Sequence, residues 1–159
     1  MALEVGDSIP DVTLKIMGEK GPQDITTADL FSSKKVVLFA VPGAFTPTCS
    51  MAHLPGFVVN ADKIKAKGAD SIVCTAVNDA FVMDAWGKSA NAEELQMVGD
   101  GNGDFANAMG LTMDGSGFGL GTRSQRYSMI VENGKITQLN REKGGALEAS
   151  TAEVILEQL

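Results

Sequence analysis

Several residue types that carry chemistry are nearly missing from this chain. Its 159 residues include one histidine, one tryptophan, one tyrosine and two cysteines. One histidine and two scattered cysteines fall short of the four ligands of a structural zinc site. Without a C-x-x-C pair they supply no disulfide framework, and they fit a reducing compartment. Neither a metal nor a cofactor is expected. Cations are also scarce: 13 Lys and Arg face 20 Asp and Glu, a formal charge of -7. That balance removes the basic footprint that nucleic acid or an anionic membrane would need. No apolar run approaches the roughly 20 residues of a membrane span, and Met1 to Asp7 lacks the basic start of a secretion signal. The expectation is a soluble, unprocessed, cytoplasmic protein, one domain without repeats or low-complexity segments.

What the chain does contain is organised around Val36 to Gly68. Val36-Val37-Leu38-Phe39-Ala40-Val41 is apolar without alternation, the pattern of a strand buried on both faces. Pro42-Gly43 cannot continue it. Thr46 then suits a helix N-cap and Pro47 the first helical position, which puts Cys49 at the third. There its sulfur lies near the unpaired N–H groups and positive dipole end of a helix, surroundings that favour a thiolate. A lone cysteine is more often a small buried hydrophobe, and spacing alone leaves the two readings open.

Further along, Leu54-Pro55-Gly56 must kink or interrupt the helix. Phe57, Ala61 and Ile64 then recur at helical spacing, and Gly68 stops the run. Before this region, Val12, Leu14 and Ile16 alternate as a half-exposed strand, Gly18 to Pro22 form a turn, and Thr26 to Ser32 hold a short helical turn. After it, Ser71 to Val77 is a second buried strand, and Asn78 or Asp79 caps a helix with Phe81, Val82, Ala85 and Trp86 on its apolar face. Leu95 to Val98 is a short strand. Asp100 to Gly103 is a loop before a short helix with Phe105, Ala108 and Met109 inward and Gly110 at its end. Asp114 to Thr122 carries four glycines but no G-K-[ST] ending, so it reads as a mobile loop beside a site or partner and not as a phosphate cradle. Asn133-Gly134 joins Arg126–Glu132 to Lys135–Leu139 as a hairpin. Ser150 with Glu153 makes a capping box for a last helix striped by Ala152, Ile155, Leu156 and Leu159.

Pro42-x-x-x-Thr46-x-x-Cys49 matches the P-x-x-x-T-x-x-C signature of peroxiredoxins, and VPGAFTPTCSMAHLPGF (Val41 to Phe57) resembles their type II branch, the peroxiredoxin-five subfamily. VNDAFVMDAW (Val77 to Trp86) and SQRYSMIVENG (Ser124 to Gly134) resemble it as well, so the likeness covers nearly the whole chain. It implies an α/β, thioredoxin-like fold, a central mixed β-sheet flanked by helices, in accord with the order βαβ, hairpin, helix.

The resemblance further implies a thiol peroxidase in which Cys49 attacks a hydroperoxide and becomes a sulfenic acid. Lowering a thiol's pKa enlarges its thiolate fraction, but a Brønsted slope of about 0.45 removes much of that gain as lost nucleophilicity. Rate must therefore come from groups that orient the peroxide and stabilise the leaving oxygen. By resemblance these are Thr46, which hydrogen-bonds the peroxide, Arg126, which polarises its oxygens, and Pro42, which shields the sulfur. Arg123 is a nearby alternative, but the Arg-Tyr-Ser-Met pattern selects Arg126.

Cys74, in the apolar Ile72 to Ala76 run, reads as an inert buried thiol. The second cysteine that internally resolving relatives carry near the C-terminus is replaced here by Ala149. The implied cycle is therefore one-cysteine, with glutaredoxin/glutathione, or less readily thioredoxin, as reductant. His53 follows Cys49 by one helical turn, yet Pro55 interrupts that face, so packing or exposure is favoured over a role at the thiol. A homodimer through Phe45, Trp86 and the glycine-rich loop is implied too. Two other readings remain: a thioredoxin-type reductase, disfavoured because Thr46 stands where its first cysteine would be, and a redox-sensing or chaperone-like protein signalling through Cys49 oxidation.

Overall fold

A computed structural model describes residues 2–144 and 146–159. Its main sheet has seven strands: β1 (Thr13–Gly18), β2 (Gly21–Thr26), β3 (Lys35–Val41), β4 (Ser71–Ala76), β5 (Gln96–Gly99), β8 (Tyr127–Glu132) and β9 (Lys135–Arg141), and they lie in the order β2-β1-β5-β4-β3-β8-β9. β3 pairs with β4, and β4 with β5, in parallel, whereas β8 runs antiparallel to β3 and β9 antiparallel to β8. The sheet is therefore mixed, as the thioredoxin-like pattern requires.

Both faces of β3 are covered, which is why its sequence lacks alternation. Val37, Phe39 and Val41 pack with Phe57, Ala61 and Ile64 of α2 (Leu54–Ala66), Met83 and Trp86 of α3 (Ala80–Ser89), and Ile155 of α5 (Ala152–Gln158). Val36, Leu38 and Ala40 face the other way, toward Leu30 and Phe31 of α1 (Thr27–Phe31) and Phe105 and Met109 of α4 (Asp104–Met109). The alternation of the pleat thus assigns each residue of one apolar run to one of two cores.

Several expectations shift in detail. The turn after β1 is shorter than Gly18 to Pro22, and the polar segment beyond it pairs as β2 over Gly21–Thr26. In α3 the buried face is Ala80, Met83, Trp86 and Gly87; of the expected Phe81, Val82, Ala85 and Trp86 only Trp86 is fully inward, and Phe81 is 61% exposed. Of the two expected caps, Asp79 is the one used: its carboxylate accepts from Val82 N–H at 2.8 Å. In α4 the inward residues are Phe105, Ala106 and Met109, with Ala108 turned to solvent. The Asp100 carboxylate explains this, because it accepts from the N–H groups of Phe105 and Ala106 and so sets the rotation of the short helix. The last helix is capped by Thr151, whose hydroxyl accepts from Val154 N–H, while Ser150 is buried and committed elsewhere. The glycine-rich stretch is not a bare loop. β6 (Thr112–Asp114) and β7 (Thr122–Ser124) form a small ribbon that encloses a 3₁₀ turn over Ser116–Phe118.

Candidate active site

Register alone brings the two halves of the site together. Ala40 of β3 pairs with Tyr127 of β8. The chain leaving β3 and the chain about to enter β8 therefore meet at one end of the sheet, and those segments carry Cys49 and Arg126.

Between β3 and the helix, Pro42 to Thr46 form a tight loop. A side chain at Gly43 would crowd the loop, since a Cβ there would lie 2.9 Å from Arg123 Nη1 and 3.1 Å from Thr46 Cγ2, and the Arg123 head would have to shift. Phe45 adopts φ of 64°, a left-handed conformation that strains a bulky residue by about 1–3 kcal/mol. The Thr46 hydroxyl does not cap the helix as expected; it donates to the Gly43 carbonyl at 2.6 Å. Thr46 nonetheless opens the helical turn through its backbone, because Ser50 N–H donates to its carbonyl at 2.9 Å. Arg123 fastens this loop from outside: its Nη1 donates to the Pro42 carbonyl at 3.3 Å and its Nε to the Leu120 carbonyl at 3.0 Å.

Pro55 does not break the helix. Cys49–His53 form a π-turn in which Leu54 N–H reaches back to the Cys49 carbonyl, and α2 continues from Leu54 with Pro55 in its first turn. A proline ring collides with the carbonyl four residues earlier in a regular α-helix, and a widened turn of this kind often marks functional positions. The widening keeps both Cys49 and His53 on the buried side.

Cys49 is fully buried. Among the described residues no backbone N–H of the helix mouth donates a hydrogen bond to its sulfur. The donor is Arg126, whose Nη2 lies 3.2 Å from Sγ. Arg126 is only 5% exposed and forms no carboxylate ion pair among the described residues. Its Nη1 donates to His53 Nδ1 at 2.9 Å, and its Nε is buried without an acceptor from the described residues.

His53 is the site residue that the sequence reading set aside. It is buried, and its Nε2 lies 2.9 Å from the Ser150 carbonyl. A carbonyl can only accept and a guanidinium can only donate. The ring is therefore neutral, with its proton on Nε2 and its Nδ1 lone pair turned to Arg126. Desolvation first, and the Arg126 charge after it, push His53 down from 6.5 to about 4, against opposing pulls from Ser150 and Glu142. The signal that could have found His53 was its spacing from Cys49; what concealed it was the assumption that Pro55 would end that face.

The remaining cysteine behaves as expected. Cys74 lies in β4 opposite Phe39, is fully buried, and is pushed well above the ordinary thiol range by burial, with the neighbouring Cys49 adding to this. Both cysteines are free.

The neutral ring makes stability depend on acid. Because the unfolded chain takes up this proton near pH 6.5 and the folded protein only near 4, stability is full above about 6.5 and falls as pH falls toward 4. The loss attributable to His53 is roughly 3 kcal/mol. Urea unfolding of wild type and His53→Gln over pH 4 to 7 should show a steeper acid loss for wild type; parallel curves would contradict the assignment.

The family model described as Redoxin matches residues 4–156. Peroxiredoxin-2D of Arabidopsis thaliana is 45% identical over 159 residues, spanning 99% of this chain and 98% of that protein. Among solved structures, reduced Prx3 of Vibrio vulnificus in complex with H2O2 is 53% identical with a TM-score of 0.95, covering 98% of each chain. The Plasmodium falciparum antioxidant protein, a 1-Cys peroxiredoxin, is 33% identical with a TM-score of 0.91, again covering 98% of each chain. A buried cysteine that meets an arginine on this fold, with relatives of that likeness along its whole length, makes the chain a member of the peroxiredoxins, the thiol-dependent peroxidases of the redoxin family.

Proposed function

We propose that Cys49 reduces hydrogen peroxide and alkyl hydroperoxides in a one-cysteine cycle, with Arg126, Thr46 and Pro42 completing the site. The observation that carries this reading is the 3.2 Å contact from Arg126 Nη2 to the Cys49 sulfur. The sulfur attacks one peroxide oxygen, an S–O bond forms as the O–O bond breaks, and the departing oxygen takes up a proton to leave as water or an alcohol. Negative charge moves from sulfur to that oxygen. Arg126 already donates to the first, and its Nε, on the same guanidinium edge as Nη2, has no acceptor among the described residues. The same cation can thus follow the charge through the step. Thr46 has its hydroxyl proton committed to Gly43, which leaves its oxygen to accept from the peroxide O–H. Pro42 takes the shielding role that its place in the P-x-x-x-T-x-x-C motif implies. That the Vibrio relative is described in complex with H2O2 supports the substrate class.

The sulfenic acid is then released by an external thiol: attack on sulfur expels water and forms a mixed disulfide, and a second thiol frees Cys49. Cys74 is held as a buried, protonated thiol in the sheet, and Ala149 occupies the position of the C-terminal resolving cysteine. The Plasmodium relative, described as 1-Cys, supports this cycle. Glutaredoxin with glutathione is the preferred reductant, thioredoxin the second, in a reducing compartment such as the cytoplasm. The protein pairs as a homodimer through Phe45 and Phe118, 55% and 87% exposed on neighbouring loops that Arg123 ties together. Trp86 is core and takes no part in that surface.

Arg126→Ala should slow peroxide oxidation of Cys49 by about a hundredfold or more, the scale of one lost oxyanion-type donor; stopped-flow oxidation near the wild-type rate would reject its role. Steady-state hydroperoxide consumption should be faster with glutaredoxin and glutathione than with thioredoxin. Nonreducing mass spectrometry after peroxide should show no Cys49–Cys74 disulfide, and finding one would overturn the one-cysteine cycle. Sedimentation at micromolar concentration should give the dimer mass; a monomer would remove the pairing.

A further inference from the structure

Glu142 lies immediately after β9, and the peroxidase reading gives it no task. Its carboxylate is nevertheless heavily engaged. One oxygen, Oε2, accepts from the N–H groups of Glu148 and Ala149 at 2.9 Å each, from Ser150 N–H at 2.7 Å and from the Ser150 hydroxyl at 2.7 Å. Three successive backbone N–H groups converging on one anion make a nest. Burial works to raise this carboxyl, and the four donors outweigh it and hold the group below its ordinary range.

The nest fixes the carbonyl on its far side. Ser150, fully buried, presents its oxygen to His53 Nε2, His53 Nδ1 receives Arg126 Nη1, and Arg126 Nη2 reaches Cys49. The backbone closes the circuit, since Glu142 N–H donates to the Arg126 carbonyl at 3.1 Å. Both ends of Arg126, main chain and guanidinium, are thereby referred to the same residue.

We infer that Glu142 is a positioning residue for the peroxidase reaction: by pinning the 148–150 turn it sets the His53 tautomer, and through it the guanidinium at the Cys49 sulfur. A histidine whose Nε2 lost its fixed acceptor could carry the proton on Nδ1 instead, and would then present a donor to Arg126 where an acceptor is needed. The guanidinium would swing away, and small displacements of such groups cost on the order of tenfold to a hundredfold in rate.

This inference rests on the proposed peroxidase reading for its kinetic half only. The chain has a single histidine, so its ring nitrogens can be followed without ambiguity by long-range 1H–15N correlation. Wild type should show one tautomer, protonated at Nε2. Glu142→Ala should show a mixture of tautomers and a tenfold to hundredfold slower oxidation of Cys49 by hydrogen peroxide in stopped flow, with Glu142→Gln intermediate on both. An unchanged tautomer in Glu142→Ala, whatever its rate, would overturn the inference, as would an altered tautomer with a wild-type rate. Should Glu142→Ala fail to fold, Glu142→Gln carries the same two readouts, and wild-type behaviour on either one overturns it. If wild type itself consumed no hydroperoxide while the tautomer still shifted in the variants, the peroxidase reading would fall and the positioning of the ring would stand.

Discussion

A guanidinium buried without a carboxylate partner among the described residues is the constraint on which the rest of the site depends. Removing a cation from water costs several kcal/mol unless its donors are met. Arg126 is met by a sulfur and a neutral imidazole. A carboxylate in either place would hold the guanidinium more tightly and would also cancel the field it exerts on Cys49. The arrangement instead leaves the sulfur as the main recipient of that charge, with one donor unmatched among the described residues.

The architecture then reads as a set of supports for that cation. The antiparallel pairing of β3 with β8 brings the two segments to one sheet end. The π-turn keeps Cys49 and His53 on the same side despite Pro55. Arg123 ties the Pro42 loop to the ribbon segment, and the turn at Ser150 backs the imidazole. Each support is a hydrogen bond or a register choice made outside the reacting atoms. Their combined effect is that a flexible arginine side chain, costly to order, is fixed before substrate arrives.

Much of this was legible in the sequence where one local rule decided the outcome. Two-sided burial of Val36 to Val41 follows from unbroken apolarity, and the Asn133-Gly134 hairpin from turn chemistry. The partnership of Cys49 with Arg126 followed from motif resemblance and not from spacing, because no local pattern links residues so far apart in the chain. Where two rules competed, the reading failed. Pro55 appeared to end the helical face that His53 needs, and the π-turn, which no residue count announces, preserved it. Ser150 with Glu153 satisfied a capping pattern, but the stronger acceptor Glu142 took Ser150 and left the cap to Thr151. In α3 the apolar count placed Phe81 and Trp86 on one inward face, and only Trp86 is buried there, with Phe81 exposed. At Pro55 and at Ser150 a non-standard turn or a tertiary hydrogen bond outweighed a local preference.

The central claim is that Arg126 acts as a fork: one arm is held by His53 while the other meets the sulfur and the developing charge. Arg126→Lys isolates it, because an ammonium keeps the charge but presents a single point where the guanidinium has two separate nitrogens. The rate of Cys49 oxidation by hydrogen peroxide in this variant is the direct measurement. The account predicts at least about a tenfold loss in rate; a lysine variant as fast as wild type would show that charge alone suffices and would contradict it.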